Sequence, residues 1–145
     1  FTMVGEGIDL DDMIQYSKKI GIGTDKLRFT GLLEGKRLVD EMNNADMLVI
    51  FSHYENFPVV INESLSLGVP VIATRVGGIP ERVNKRNGIL IKPNDESQLL
   101  YELGAYLNGK RKFNLRNIHK EFAKEFSADK IGLKLNEIYD KAINA

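Results

Sequence analysis

Short apolar runs alternating with amphipathic stretches predict an α/β fold, a parallel sheet with helices on both faces. Three observations carry this. Asp46–Phe51 holds a continuous apolar run, the pattern of a strand buried on both faces. Val69–Thr74 is a second such run. Helical patterns stand between the strand candidates, so the connections are long enough to be right-handed βαβ crossovers.

Taken in order, Phe1–Val4 reads as a strand that leads into Gly5-Glu6-Gly7. Asp9-Leu10-Asp11-Asp12 then opens a helix, with acids where the helix dipole favours them. Its apolar positions Leu10, Met13, Ile14 and Ile20 have roughly helical spacing, and Gly21 and Gly23 end it. Leu27–Thr30 is a short strand closed by Gly31, and Lys36–Asn43 a short helix. After the run at 46–51 comes a helix over Pro58–Leu67, with Pro58 in its first turn and Gly68 at its end. In the strand Val69–Thr74, Pro70 has to sit near the beginning, because an interior proline removes a ladder donor. Val76–Glu81 reads as a loop and Gly88–Lys92 as a strand. Asp95 starts a helix, with Gln98 placed for a capping box and Leu99, Leu100, Leu103 and Leu107 as its apolar stripe. Two helices close the chain. The second begins after Ser127 and carries Ile131, Leu135, Ile138 and Ala142 on one face.

Composition narrows the function. The 145 residues suit one domain, large enough to bury a core without staples. Twenty Lys plus Arg balance twenty Asp plus Glu, which gives no electrostatic case for nucleic acid as a partner. Without Cys there are no disulfides and no thiolate metal sites, and the two histidines are too few for a His-based metal site. No apolar run approaches the ~20 residues of a membrane span, and the start does not read as a signal peptide. The first residue is Phe rather than Met, which suggests a fragment with its upstream part missing. No P-loop motif is present, which argues against an NTPase.

Ligands of open parallel sheets bind beyond the carboxyl ends of the strands. That directs attention to Gly5–Gly7, Gly31–Leu33, Ser52–Pro58 and Arg75–Glu81. The segment Ser52-His53-Tyr54-Glu55-Asn56-Phe57-Pro58 is the most informative. A buried strand ends, a polar loop follows, and a helix begins whose free N–H groups suit a diphosphate. Glu55 and Glu63 flank that anion site. Carboxylates repel phosphate, so they must be aimed at hydroxyl donors, and a nucleotide sugar supplies these on both its sugar and its ribose.

Glu55 and Glu63 are eight apart. This resembles the E-x7-E spacing of retaining GT-B glycosyltransferases, and the flanks resemble glycosyltransferase family 4. Ser52–Pro58 is similar to "S-x-x-E-G-F-P", and Glu63–Ala73 to "E-A-M-A-x-G-x-P-V-I-A". Val76–Glu81 resembles "V-G-G-I-P-E" and Asn87–Leu90 resembles "N-G-x-L". Val4–Gly7 resembles "V-G-D-G" and Phe29–Gly31 resembles "F-T-G".

The resemblance implies a Rossmann-like fold, one half of a two-domain GT-B enzyme. Residues 1–145 would be the C-terminal donor-binding domain, without the N-terminal acceptor domain and the first strand-loop unit. It implies Glu55 as the catalytic carboxylate at the transferred sugar and Glu63 on the ribose hydroxyls. Asn56, Phe57, Pro58 and the amides around Val59 and Val60 would line or hold the diphosphate and sugar. Gly31 and Leu32 would line the base pocket, with Gly5 and Gly7 close by. It implies retention of anomeric configuration, no metal and no cofactor, and a UDP- or GDP-linked sugar as donor. The acceptor would be a glycan or lipid-linked molecule, in surface polysaccharide or lipopolysaccharide assembly. The setting would be cytoplasmic; Lys110-Arg111-Lys112 reads first as a solvated loop, with contact to anionic lipid headgroups at the inner face of the membrane as the alternative. Asn56 replaces the common Gly, and Ser64 and Ser66 replace common Ala. The Arg and Lys with which the family holds the diphosphate would precede this sequence, so the chain alone is expected to bind donor weakly and to transfer nothing.

Plainer readings stand beside these. The plainer alternative, less favoured in this context, is an exposed loop acid for Glu55 and a helix-surface acid for Glu63. Glu81 reads as a cap for a short helix after Pro80. Gly77 and Gly78 serve a turn, with a ligand contact as the alternative. Arg75, His119, Lys85-Arg86 and Lys110-Arg111-Lys112 read as solvated or structural, and His53 as a candidate polar contact. Two other functions compete: a nucleotide- or sugar-binding module without chemistry, and a GT-B-fold epimerase acting on a nucleotide sugar.

Overall fold

The computed structural model describes residues 1–144. The chain divides into two compact units, Phe1–Glu41 and Met42–Ala145.

In the first unit, β1 (Thr2–Met3) pairs in parallel with β2 (Arg28–Phe29), and α1 (Leu10–Lys19) lies between them in sequence. Asp11 and Asp12 in the first turn of α1, and Lys18 and Lys19 in the last, both favour its dipole. Asp9 stands at the N-cap but makes no side-chain capping bond. The expected apolar stripe is only half realised: Leu10 and Ile14 are partly buried, whereas Met13 and Ile20 are exposed. The buried residues here are Ser17, whose hydroxyl donates to the Ile14 carbonyl, and Leu33. α2 (Gly35–Asn43) begins in this unit. The Arg28 guanidinium donates to the Glu41 carboxylate and holds that carboxyl below its usual range.

The second unit holds a parallel three-stranded sheet in the order β3 (Leu48–Ile50), β4 (Val71–Thr74), β5 (Gly88–Ile91). Leu48 lies opposite Val71, and Val71 opposite Gly88. All four residues of β4 are buried, as a central strand requires. Pro70 immediately precedes β4 and its carbonyl accepts from Leu48 N–H at 2.9 Å, so its missing donor falls outside the ladder. The parallel α/β architecture agrees with the sequence, but the strand pairs form two sheets rather than one.

The core gathers Ile61 and Leu65 from α3 (Val59–Ser66), Val71 and Ala73 from β4, Ile79 from α4 (Ile79–Arg82), Val83 just beyond it, and Ile118 from α6 (Leu115–Phe126). Full burial of the Ile, Leu and Val side chains among these is worth ~1.5–3 kcal/mol each. The stretch read as a loop at Val76–Glu81 thus ends in one turn of helix. Its physical basis is Ile79, which is 1% exposed and pulls the turn onto the core. Pro58 falls at the N-cap of α3 rather than inside its first turn.

α5 (Glu96–Leu107) is capped as expected: Asp95 accepts from Gln98 N–H at 2.8 Å. The box is not reciprocal, because the Gln98 side chain accepts from Lys92 N–H instead. Ser127 both ends α6 and caps α7 (Ala128–Ile143), its hydroxyl accepting from Lys130 N–H. The apolar face of α7 leaves Ile131, Leu135 and Ile138 exposed.

Candidate functional site

The loop after β3 is fixed by hydrogen bonds and by close backbone packing. The Thr74 hydroxyl, at the end of the buried central strand, donates to the Ser52 carbonyl at 2.7 Å. The Ser52 hydroxyl donates to Glu55 Oε1 at 2.8 Å. The Tyr54 hydroxyl donates to Asn56 Oδ1 at 2.7 Å. The Ser52 bond gives the Glu55 carboxylate a defined orientation while the residue stays partly open to solvent.

A second clamp comes from the turn after β4. Gly78 N–H donates to the Asn56 carbonyl at 2.7 Å. Gly77 adopts φ +50, and a Cβ there would lie 1.6 Å from the Glu55 carbonyl oxygen. No side chain fits between these backbones. The two glycines therefore do more than turn the chain: they let the β4–α4 turn lie directly against the Glu55 loop.

Pro58 offers no side-chain oxygen, and α3 has no side-chain cap. Helix geometry leaves the N–H groups of Val59 and Val60 without intrahelical acceptors. Val59 is 64% exposed, and this helix start lies between Glu55 and Glu63 in the sequence. Glu63 is exposed and is the fifth residue of α3, just over one turn in. The buried Ser64 hydroxyl donates to the Val69 carbonyl at 3.0 Å, which explains a polar residue in that packed position. His53 and Arg75 are exposed.

In the first unit, Gly5 and Gly31 are brought together by a backbone bond. Gly5 N–H donates to the Gly31 carbonyl at 2.9 Å in an isolated antiparallel bridge. Gly31 takes φ +68. Gly7 accepts from Leu10 N–H at the start of α1, and Leu32 is 52% exposed.

Several positions read as solvated have partners. Arg111 donates twice to the Glu102 carboxylate, both at 2.9 Å, and this raises its pKa. That pair removes Arg111 from a free basic loop. His119 Nδ1 contacts the Ser66 carbonyl, linking α6 to α3. Arg86 approaches Glu121 at 3.6 Å. Glu81 is exposed in the first turn of α4 and makes no capping bond.

A shallow polar pocket lies elsewhere in the second unit, walled by Glu81, Arg82, Arg86, Asn87, Glu121 and Phe126 among others. None of the expected donor-contacting residues lines it. Among the described residues no helix is long and apolar enough to cross a membrane. Sequence reasoning missed Thr74 and the hydroxyl role of Ser52. It also missed Arg82, whose guanidinium lies over two rings far apart in sequence, Phe57 and Phe126. No local pattern signals such a contact.

Comparison with known proteins identifies the family and the fold. The family model for glycosyl transferases group 1 matches residues 1–108. An uncharacterized glycosyltransferase of Methanocaldococcus jannaschii is 28% identical over 98% of this chain and 37% of its own. A glycogen synthase of Mycobacterium tuberculosis is 33% identical over 74% of this chain and 26% of its own. The Anabaena protein HepE, solved in complex with UDP, superimposes with a TM-score of 0.82 at 22% identity, covering 97% of this chain and 40% of that one. The chain thus spans well under half the length of each of these proteins.

Proposed function

The chain belongs to the group 1 glycosyl transferases, and from that premise we propose that it forms the donor-binding half of a retaining enzyme of glycosyltransferase family 4. The donor is a UDP- or GDP-linked sugar, and the hexosyl group passes to a glycan or lipid-linked acceptor. One observation carries the reading: the N-terminus of α3 has no side-chain cap, and it directly follows the loop in which Ser52 orients the Glu55 carboxylate.

In this reading Val59 and Val60 N–H groups meet the diphosphate, where the helix dipole adds to their attraction. Glu63 accepts from the ribose hydroxyls. Glu55 accepts from hydroxyls of the sugar and fixes its pose as the glycosidic bond to phosphate lengthens. Gly31 and Leu32 line the base, with Gly5 and Gly7 beside them. Positioning and charge stabilisation supply the catalysis, and the leaving phosphate assists the acceptor on the same face, which retains the anomeric configuration. Metal and cofactor have no part in it. A second Rossmann-like half of the longer protein binds the acceptor and adds basic residues at the diphosphate, on the cytoplasmic side of a membrane.

The roles of the two glutamates separate by experiment. Glu63→Ala in the intact protein is expected to weaken nucleotide binding roughly ten- to a hundred-fold, the loss of charged hydrogen bonds worth ~1.5–3 kcal/mol. Calorimetry with UDP, GDP and ADP reads this directly and names the base. Glu55→Ala is expected to leave nucleotide affinity in place and lower turnover. Unchanged nucleotide affinity in Glu63→Ala would remove the ribose role, and wild-type kinetics in Glu55→Ala would remove the catalytic one.

A further inference from the structure

Arg82 ends α4, the one-turn helix that begins against the Glu55 loop. Its guanidinium carbon lies 4.9 Å from the centroid of the Phe57 ring and 4.3 Å from that of Phe126. Its Nη1 is 3.8 Å from Glu125 Oε1, and its Nε is buried without a hydrogen-bond partner. An orphaned buried N–H is a penalty that an apolar residue in the same groove would avoid. A flat cation can do what an apolar side chain cannot, which is to attract the faces of two aromatic rings at once.

Phe57 sits between Asn56 and Pro58, in the middle of the loop assigned above to the donor sugar. Gly78 leaves it room: a Cβ there would lie 2.9 Å from Phe57 Cδ2. The backbone of α4's first turn and the side chain of its last residue therefore grip the same loop. One grip is the bond from Gly78 to the Asn56 carbonyl, and the other is Arg82 on the ring. Phe126 is the last residue of α6, so the second ring ties this grip to the α6–α7 joint.

We propose that Arg82 is a positioning residue: it holds Phe57, and through it the Glu55–Phe57 backbone, in the pose that presents Glu55 to the donor sugar. The proposal rests on the donor reading above, but its structural half stands alone. The N-terminus of α3 is anchored separately by Ile61, which is 1% exposed, so the effect falls on the sugar side rather than on the diphosphate.

The test compares wild type, Arg82→Met and Arg82→Lys in the intact protein. Arg82→Met keeps the bulk and loses the charge and the planar face. Amide hydrogen exchange is expected to speed up about tenfold at Gly78, consistent with the loss of two cation–π contacts, with β4 amides unchanged. Affinity for UDP-glucose, or for GDP-mannose where the protein prefers guanine, is expected to fall five- to tenfold by the same contacts, and affinity for UDP or GDP less than about twofold. Arg82→Lys, which retains the charge, is expected to recover part of both effects. Equal losses for nucleotide and nucleotide sugar, or faster exchange across β4 as well, would make Arg82 an ordinary stabilising residue and overturn the proposal. Wild type that binds no nucleotide or nucleotide sugar would defeat the donor reading instead, and the exchange pattern alone would then decide whether Arg82 holds the loop.

Discussion

Two loops expected at the donor, Ser52–Pro58 and Gly5–Gly7, are built on different plans. The first is fixed from several directions: Thr74 holds Ser52, Ser52 holds Glu55, Gly78 holds Asn56 and Arg82 lies over Phe57. The second is tied at one end by the Gly5–Gly31 bond and at the other by Gly7 to α1, and Ile8 is 98% exposed. The same contrast runs through the units that carry them. One unit has a central strand buried at every residue; the other pairs two-residue strands and buries Ser17 and Leu33. Chemistry that depends on the direction of a carboxylate needs the first plan. Contact with a flat base, which apolar surface and backbone can supply, tolerates the second.

The largest expected effect separates two glycines of similar dihedral angle. Gly77→Ala drives a Cβ into the Glu55 carbonyl, and strain and overpacking together should cost about 2–4 kcal/mol. Gly31→Ala meets nothing within 4 Å and should cost about 1 kcal/mol, from φ alone. Urea denaturation of both variants measures the gap, and equal losses would erase the contrast between the loops. Next comes Thr74→Val, which keeps the shape of the side chain but leaves the Ser52 carbonyl without its donor. A loss of about 1–2 kcal/mol is expected; no change in the urea midpoint would mean that water replaces the bond. The smallest effect lies in the first unit. Arg28 holds the folded Glu41 carboxyl below its ordinary pKa, chiefly by their hydrogen bond. The pair therefore stabilises above the ordinary carboxylate value of about 4.3, and its contribution disappears as pH falls through the depressed folded value. Melting curves of wild type and Glu41→Gln should converge on acidification and in high salt. A gap that persists at low pH would point to packing rather than charge.

The buried strands were legible because each announces itself locally. Asp46–Phe51 and Val69–Thr74 are apolar runs between turn residues, and Asp95 and Ser127 are caps in plain view. The order of motifs around Glu55 and Glu63 was legible for a similar reason. Contacts between distant residues were not. Ile79 turns a glycine-rich loop into a helical turn only because the core is there to receive it. The Gly77 contact with Glu55 and the placement of Arg82 between Phe57 and Phe126 join positions far apart in the chain. Arg111 and His119 read as solvated because their partners, Glu102 on α5 and Ser66 on α3, lie outside the segments that carry them.

Ser127 sets the phase of α7. A single residue closes one helix and caps the next, so the joint has no slack in which to absorb a change of length. Each residue of an α-helix turns the chain by about 100°. Inserting one residue at this elbow would therefore either unwind a terminal turn or rotate the row of Ile131, Leu135 and Ile138 by more than a quarter circle. The bearing of that row is written into the residue count of the elbow.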